Sequence, residues 1–328
     1  MSRNLLRLIS ITLLLFVSCN KNESSPISFQ RYLLIDERIL EKAECVKPNI
    51  LIISQDSYFL LSFDEKIVVK ISKDFSRIVK YAKQGQGPGE FVDPRGMTLF
   101  EDKIAILDVN KLILLDENLD FVRDLKSKDF VNLNFLTSKD KKFFAVYDGF
   151  KKKQLCIFDS KLKLIRKISL HDKRPIDIGY PDNYFYFFLA YPSKDKMVVS
   201  SLFYFNNENT EIDLLDLKSE KFIAKLKWQN KIYKTTKEQL VHRKNVYSFG
   251  GFAETQKYYV VNTLFYKNLR DFNSPPQSEL IFFDKKNLKV VFRKEKSPFR
   301  INILAFDYDN NNRIYSLEEG GIYYYEIN

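Results

Sequence analysis

Chemistry needs groups that titrate, attack or ligate, and in this chain they are few. Two histidines, His171 and His242, and three cysteines, Cys19, Cys45 and Cys156, are scattered through 328 residues. None stands at the short spacing of a zinc or redox motif, so the histidines read as loop or surface residues rather than ligands. Cys45 and Cys156 fit buried thiols acting as small apolar side chains, with a disulfide as the alternative. Asp307, Asp309, Asn311 and Glu318 follow the spacing of a calcium loop, yet Asn312 stands where that loop's sharp turn needs glycine. No helices are expected on either side, so an asparagine-rich β-turn is the plainer reading. Gly85, Gly87 and Gly89 alternate as phosphate-cradling glycines do, but Pro88 interrupts them and no Lys-Ser/Thr follows. These patterns assign no catalytic residue and no metal ligand, and they call for no cofactor.

The N-terminus carries the most specific pattern. Arg3 and Arg7 precede an apolar run over residues 8–17 that only Ser10 and Thr12 interrupt, and Ser18 stands directly before Cys19. The run is about half the length of a bilayer-crossing helix, which identifies a secretion leader rather than a span. The junction Phe16-Val17-Ser18-Cys19 resembles a bacterial lipobox, with Phe16 where that pattern usually has leucine. The resemblance implies cleavage before Cys19 and attachment of lipid to its sulfur. An ordinary signal peptide is the alternative. Residues 19–26 then form a polar lipidated tether.

The net charge of +11, from 53 Lys+Arg against 42 Asp+Glu, raises the question of an anionic partner. Lysines are interleaved with acids along most of the chain, as in Asp124-Leu125-Lys126-Ser127-Lys128-Asp129 and Lys139-Asp140-Lys141-Lys142. Such a pattern reads as a solvated surface, and no nucleic-acid partner is expected.

The elements that must position any site show in a repeat. Residues 112–116 (Leu-Ile-Leu-Leu-Asp) have counterparts at 155–159, 212–216 and 280–284, each followed by two to four turn residues and another apolar strand. A fifth copy ends on Ser72. From Ser72 through Asp116, Asp159 and Asp216 to Asp284 the steps are 44, 43, 57 and 68 residues. Those steps bracket the length of a four-stranded propeller blade, with insertions in the later copies. Each aspartate is expected to close a hairpin by accepting bonds from backbone amides two residues on. Strands rich in aromatic and β-branched residues dominate, and the one helical turn expected lies near residues 235–244. The C-terminus supplies a partial sixth unit, residues 313–327, that lacks a fourth strand. The segment from Gln30 to Ile35 is suited to supply it by pairing with Ile322 to Ile327, closing the ring and removing an open edge.

One junction carries a family resemblance. Gln84-Gly85-Gln86-Gly87-Pro88-Gly89-Glu90-Phe91, then Pro94-Arg95-Gly96 and the strands up to Asp116, resemble the blade junction of NHL-repeat propellers. The resemblance implies an all-β, six-bladed β-propeller of four-stranded antiparallel blades. The organisation expected is therefore a signal peptide over 1–18, a tether over 19–26 and a propeller over 27–328. In such a ring the residues just after blade junctions face the central channel. Arg95, after Pro94, and Arg300, after Pro298-Phe299, are the candidate ligand-binding residues, since guanidinium groups take carboxylate or sulfate in bidentate fashion. The function expected is an envelope-anchored lipoprotein, periplasmic or surface-facing, whose propeller is a non-catalytic binding or scaffold module for a protein, peptide or glycan. The alternative is a propeller hydrolase or lyase with a divalent cation in its channel, as in NHL-type lyases and calcium-dependent esterase propellers.

Overall fold

A computed structural model of the chain describes residues 27–148, 153–170, 188–192, 196–201, 203–204, 209–229, 244–268, 277–297, 302–303, 305–306, 313–318 and 320–328. Six four-stranded antiparallel blades form a ring. Blade 1 runs outward through Ile50–Ile53, Ser57–Ser62, Ile67–Ser72 and Ile78–Tyr81. Blade 2 follows with Gly96–Phe100, Lys103–Leu107, Lys111–Leu115 and Phe121–Lys126, and blade 3 with Leu133–Lys139, Lys142–Asp148, Lys153–Phe158 and Leu164–Ser169. Blade 4 comprises Phe188–Pro192, Lys196–Ser201, Asn209–Asp216 and Lys221–Gln229. Blade 5 comprises Lys244–Glu254, Tyr258–Asn268, Gln277–Asp284 and Val290–Ser297.

Blade 6 is made from both chain ends. Asn302–Ile303, Arg313–Glu318 and Gly321–Ile327 supply three strands, and Phe29–Asp36 pairs antiparallel outside the last of them, from Phe29 opposite Ile327 to Asp36 opposite Gly321. The expected pairing of the two termini is thus observed. Gly321 sits at φ +141, and a Cβ there would stand 2.2 Å from the Ile35 carbonyl oxygen, so the closing strand can approach only a glycine.

Alternation along the strands builds the core. In blade 1, Leu51, Ile53, Leu60, Val69 and Ile71 pack toward blade 6 with Ile35, Tyr315 and Ile322, while Ile52, Phe59, Leu61 and Val68 pack toward blade 2 with Ile104, Ile106 and Ile113. Period-two projection therefore fills two interfaces from one sheet. Each of the six blade interfaces holds such a cluster of buried side chains. The ring is closed by hydrophobic burial all the way round.

Three of the repeated aspartates accept from the amide two residues on as expected, and Asp216 accepts from the amide three residues on. Asp116 Oδ1 accepts from the amides of Asn118 and Asp120 at 2.8 Å, Asp159 Oδ1 from Lys161 and Lys163, Asp216 from Ser219, and Asp284 from Lys286 and Asn287. In blade 1 the Ser72 hydroxyl accepts from Arg77 instead. Beyond the expected pattern, the same hairpins hold Phe75, Leu119, Leu162 and Leu288 at φ between 60° and 65°. That left-handed turn tips an apolar side chain back into the blade interface, where Leu119 and Leu162 are buried.

The outermost strands of blades 2 to 5 share a further feature. Leu115 lies opposite Phe121 while Leu114 lies opposite Arg123, so Val122 is an extra, unpaired residue. Ile165, Ile223 and Val291 are the extra residues at the same place in blades 3, 4 and 5. These are β-bulges, and each leaves a large apolar side chain exposed. Blade 1 keeps a regular register at its edge.

Two short segments extend blades on the axial side. Phe203–Tyr204 pairs with the innermost strand of blade 5, and Ala305–Phe306 pairs in parallel with the innermost strand of blade 1. One element corrects the sequence reading: Glu37–Lys42 is an α-helix, capped by Asp36 whose side chain accepts from the Arg38 amide at 2.7 Å. Six residues are too few to show helical periodicity, and the cap itself belongs to a strand. The helical turn expected near residues 235–244 lies outside the described residues apart from Lys244, which opens a strand.

Candidate functional site at the braced blade junction

The best-defined junction joins the outer edge of blade 1 to the axial strand of blade 2 through residues 82–95. Its glycines answer to close approach. A Cβ on Gly85 would fall 2.2 Å from Glu90 Oε2, and one on Gly89, at φ +72, would fall 2.7 Å from the Phe121 ring. Phe91 is fully buried and anchors the loop, with its amide donating to the Lys83 carbonyl at 2.9 Å. Gly87 N donates to Glu90 Oε2 at 2.8 Å, Gly85 N to the Phe91 carbonyl at 3.2 Å and Gly89 N to Asp124 Oδ2 at 3.4 Å, so the three glycine amides that a phosphate would need are engaged within the protein.

Two residues of blade 2 hold this loop from below. Asp108, 1% exposed, accepts from Asp93 N at 2.7 Å and from Val92 N at 3.2 Å. Lys111, 2% exposed, donates from Nζ to the Gly87 carbonyl at 2.8 Å and faces Asp124 Oδ2 at 3.6 Å, the same oxygen that accepts from Gly89 N at 3.4 Å. Tyr81 completes the brace by donating its hydroxyl to the Gly89 carbonyl at 2.5 Å. Burial, with the charges of Asp124 and Glu90, pushes that phenol up to about 12. Asp124 reads in sequence as an ordinary solvated charge. The signal for Lys111 was its place at the head of Leu112-Ile113-Leu114-Leu115, a strand buried throughout.

Arg95 enters the axial strand with its amide bonded to the Leu107 carbonyl, and its guanidinium holds Asp93 Oδ2 from Nε at 3.0 Å and from Nη2 at 2.9 Å. The arginine side chain is 27% exposed and the aspartate 49%. Arg300, Cys19, His171, His242, Asp307, Asp309 and Asn311 lie outside the described residues. Glu318, the remaining member of the calcium-like spacing, is taken by Arg31 at 2.8 Å and by the Tyr325 hydroxyl at 2.5 Å. Among the described residues no group of three or more His, Cys, Asp or Glu is placed to hold a metal ion.

Cys45 and Cys156 are free thiols, not a disulfide. They lie in different interfaces, Cys45 between blades 6 and 1 and Cys156 between blades 2 and 3. Burial pushes their thiols up to about 12 and about 11, which leaves them without nucleophilic thiolate at neutral pH.

No family model and no curated protein matches the chain. Among solved structures, a member of the DUF4221 family from Bacteroides vulgatus is similar with a TM-score of 0.60 and 10% identity, over 92% of this chain and 97% of that one. A candidate exported protein of Bacteroides fragilis is similar with a TM-score of 0.59 and 10% identity, over 95% of this chain and 97% of that one. The WD40 domain of Neurospora crassa Pan2 is similar with a TM-score of 0.54 and 10% identity, over 89% and 80%. At such identities the likeness is one of fold, and the fold is an all-β ring of six four-stranded blades.

Proposed function

We propose that the chain is an envelope lipoprotein, acylated on Cys19 and tethered through residues 20–26, whose propeller is a non-catalytic binding or scaffold module for a protein, peptide or glycan. The observation that carries the anchoring is the leader, with its basic start, its apolar run of half a bilayer and its abrupt change to polar residues at Cys19. The structural likeness to a candidate exported protein supports an extracytoplasmic location. Among the described residues no helix is long and apolar enough to cross a membrane. The NHL-type character rests on the junction at residues 81–116.

The non-catalytic reading rests on how the polar groups of the junction are spent. Lys111, Asp108, Asp124 and Glu90 all bind the loop's own backbone. Arg95 is the proposed ligand contact. Both of its bonds to Asp93 go to one oxygen, Oδ2, through Nε and Nη2, and the side chain is 27% exposed, so its Nη1 would be the donor offered to a ligand carboxylate or sulfate. Arg300 would add a second guanidinium from the junction into blade 6.

Replacement of Cys19 by Ser tests the anchor: the protein should leave the membrane fraction and lose the mass of the diacylglycerol adduct. Unchanged mass and partition would overturn it. Calorimetry with an acidic peptide, on wild type and Arg95→Ala, tests the contact. Equal affinity in a folded variant would assign Arg95 to bracing alone.

A further inference from the structure

In blades 1 to 5 a hairpin joins the third and fourth strands, and in blade 6 the chain ends take its place. Ser28 and Asn328 exchange both backbone hydrogen bonds there at 3.2 Å. Whatever precedes Ile27 therefore departs from the rim that carries the hairpins. In three consecutive blades that rim bears one grouping, lysines in the turn followed by an exposed apolar bulge residue. Blade 3 has Lys161 and Lys163 before Ile165, which is 52% exposed. Blade 4 has Lys218 and Lys221 before Phe222 and Ile223, 37% and 49% exposed. Blade 5, beside the chain ends, has Lys286 and Lys289 before Val291, 44% exposed.

The nearby acids are occupied. Asp159, Asp216 and Asp284 turn toward backbone amides, and Glu220 pairs with Lys142. Among the described residues no carboxylate engages the six turn ammonium groups. Propeller construction does not require the grouping, because blade 2 puts Glu117, Asn118 and Asp120 before its own bulge residue, Val122.

We propose that the arc across blades 3, 4 and 5 is the surface by which the body lies on an anionic bilayer, its bulge side chains in the headgroup layer and its lysines on lipid phosphates. This rests on the anchored reading above, since a tether leaving blade 6 brings that rim to the membrane. A soluble polyanion would satisfy the lysines and leave four large apolar side chains in water, whereas a bilayer interface takes both. The lysine stems can lie along the apolar layer with their heads at the phosphates.

The test places an environment-sensitive fluorophore at Ile165→Cys, Ile223→Cys, Val291→Cys and, as control, Val122→Cys in the full-length protein. Cys45 and Cys156, both buried, stay unlabelled. On phosphatidylglycerol vesicles the first three should shift to the blue and the control should not. Lys161→Gln/Lys163→Gln/Lys286→Gln/Lys289→Gln should lower the preference for phosphatidylglycerol over phosphatidylcholine by about fivefold for each lysine in contact. Equal shifts at all four sites, no shift at the three, or an unchanged lipid preference in the lysine variant would overturn the proposal. So would binding that heparin abolishes with no shift at the three sites, which assigns the lysines to a soluble polyanion. Failure of the anchor is read separately, from the mass at Cys19 and from loss of binding to neutral vesicles.

Discussion

Replacing Lys111 with Met tests whether a buried ammonium holds the junction together. Methionine keeps the apolar stem of the side chain and removes its charge and donors. The Gly87 carbonyl then loses a charge-assisted bond of 2.8 Å, a contribution of about 1.5–3 kcal/mol. Asp124, with 17% of its side chain exposed, also loses the cation 3.6 Å away. Breaking such a pair from one side costs roughly 3–5 kcal/mol when burial is complete, and residual solvent at Asp124 lowers that. The two losses overlap, and the expected destabilisation is about 3 kcal/mol. For a propeller of this size that corresponds to a fall in Tm of about 5 °C, from the usual unfolding entropy per residue. Urea and thermal denaturation measure it, and hydrogen exchange at residues 87–91 should rise before the rest of blade 2. Lys111→Met/Asp124→Asn should recover part of the loss, because the stranded carboxylate is then neutral, while Lys218→Met at an exposed turn should change stability by less than about 0.5 kcal/mol. A Lys111→Met protein within about 1 kcal/mol of wild type, or a double variant as unstable as the sum of the singles, would refute the reasoning.

Gly321→Ala should weaken ring closure by at least about 2 kcal/mol, since the new methyl meets the Ile35 carbonyl 2.2 Å away, and exchange should rise first in Phe29–Asp36; a wild-type Tm would contradict this. Leu119→Gly relieves a left-handed backbone but gives up a buried side chain, for a net loss of about 1–2 kcal/mol in chemical denaturation; a gain in stability would show that strain outweighs burial. Partial burial raises the Asp216 carboxyl, but the Lys196 ammonium at 2.6 Å and Ser219 outweigh it and hold the group at about 2. Its folded pKa lies below the ordinary value near 4, so it contributes stability above about pH 4 that is lost as pH falls toward 2. Asp216→Asn should flatten the acid limb of a stability profile over that window, and an unchanged limb would count against the pairing.

The fold was legible where local chemistry repeats. Asp116, Asp159, Asp216 and Asp284 announce a turn by side-chain capping, which needs only neighbours in sequence, and four-stranded blades follow from their spacing. The closing strand was legible as a remainder: residues 313–327 lacked a partner, and the segment at Gln30 had the right composition. What stayed hidden depends on partners distant in sequence. Lys111 sits in a run of leucines, and nothing local says that the Gly87 carbonyl waits above it. Asp124 looks like one more charge in a mixed run until the loop lies beside it. The bulges were illegible for another reason. Phe121-Val122 and Leu164-Ile165 read as plain strand dipeptides, and only the register against the neighbouring strand shows that one residue of each is unpaired.

Those unpaired residues bear on how copies of the protein tolerate crowding. If the chain is anchored through Cys19 as proposed, its copies meet side by side far more often than in free solution, and a propeller offers each neighbour the outermost backbone of its blades. A straight row of open amides and carbonyls would invite a second sheet to dock in register. In blades 2 to 5 the extra residue breaks that row at the same height, so two such edges cannot zip. Blade 1 keeps a row without a bulge over Ile78–Tyr81, and there the Lys80 ammonium pairs with Glu44 at 2.8 Å. Lys80 thus charges an edge that has no bulge, and removal of that charge would favour sheet-to-sheet growth from blade 1 over the bulged edges of blades 2 to 5.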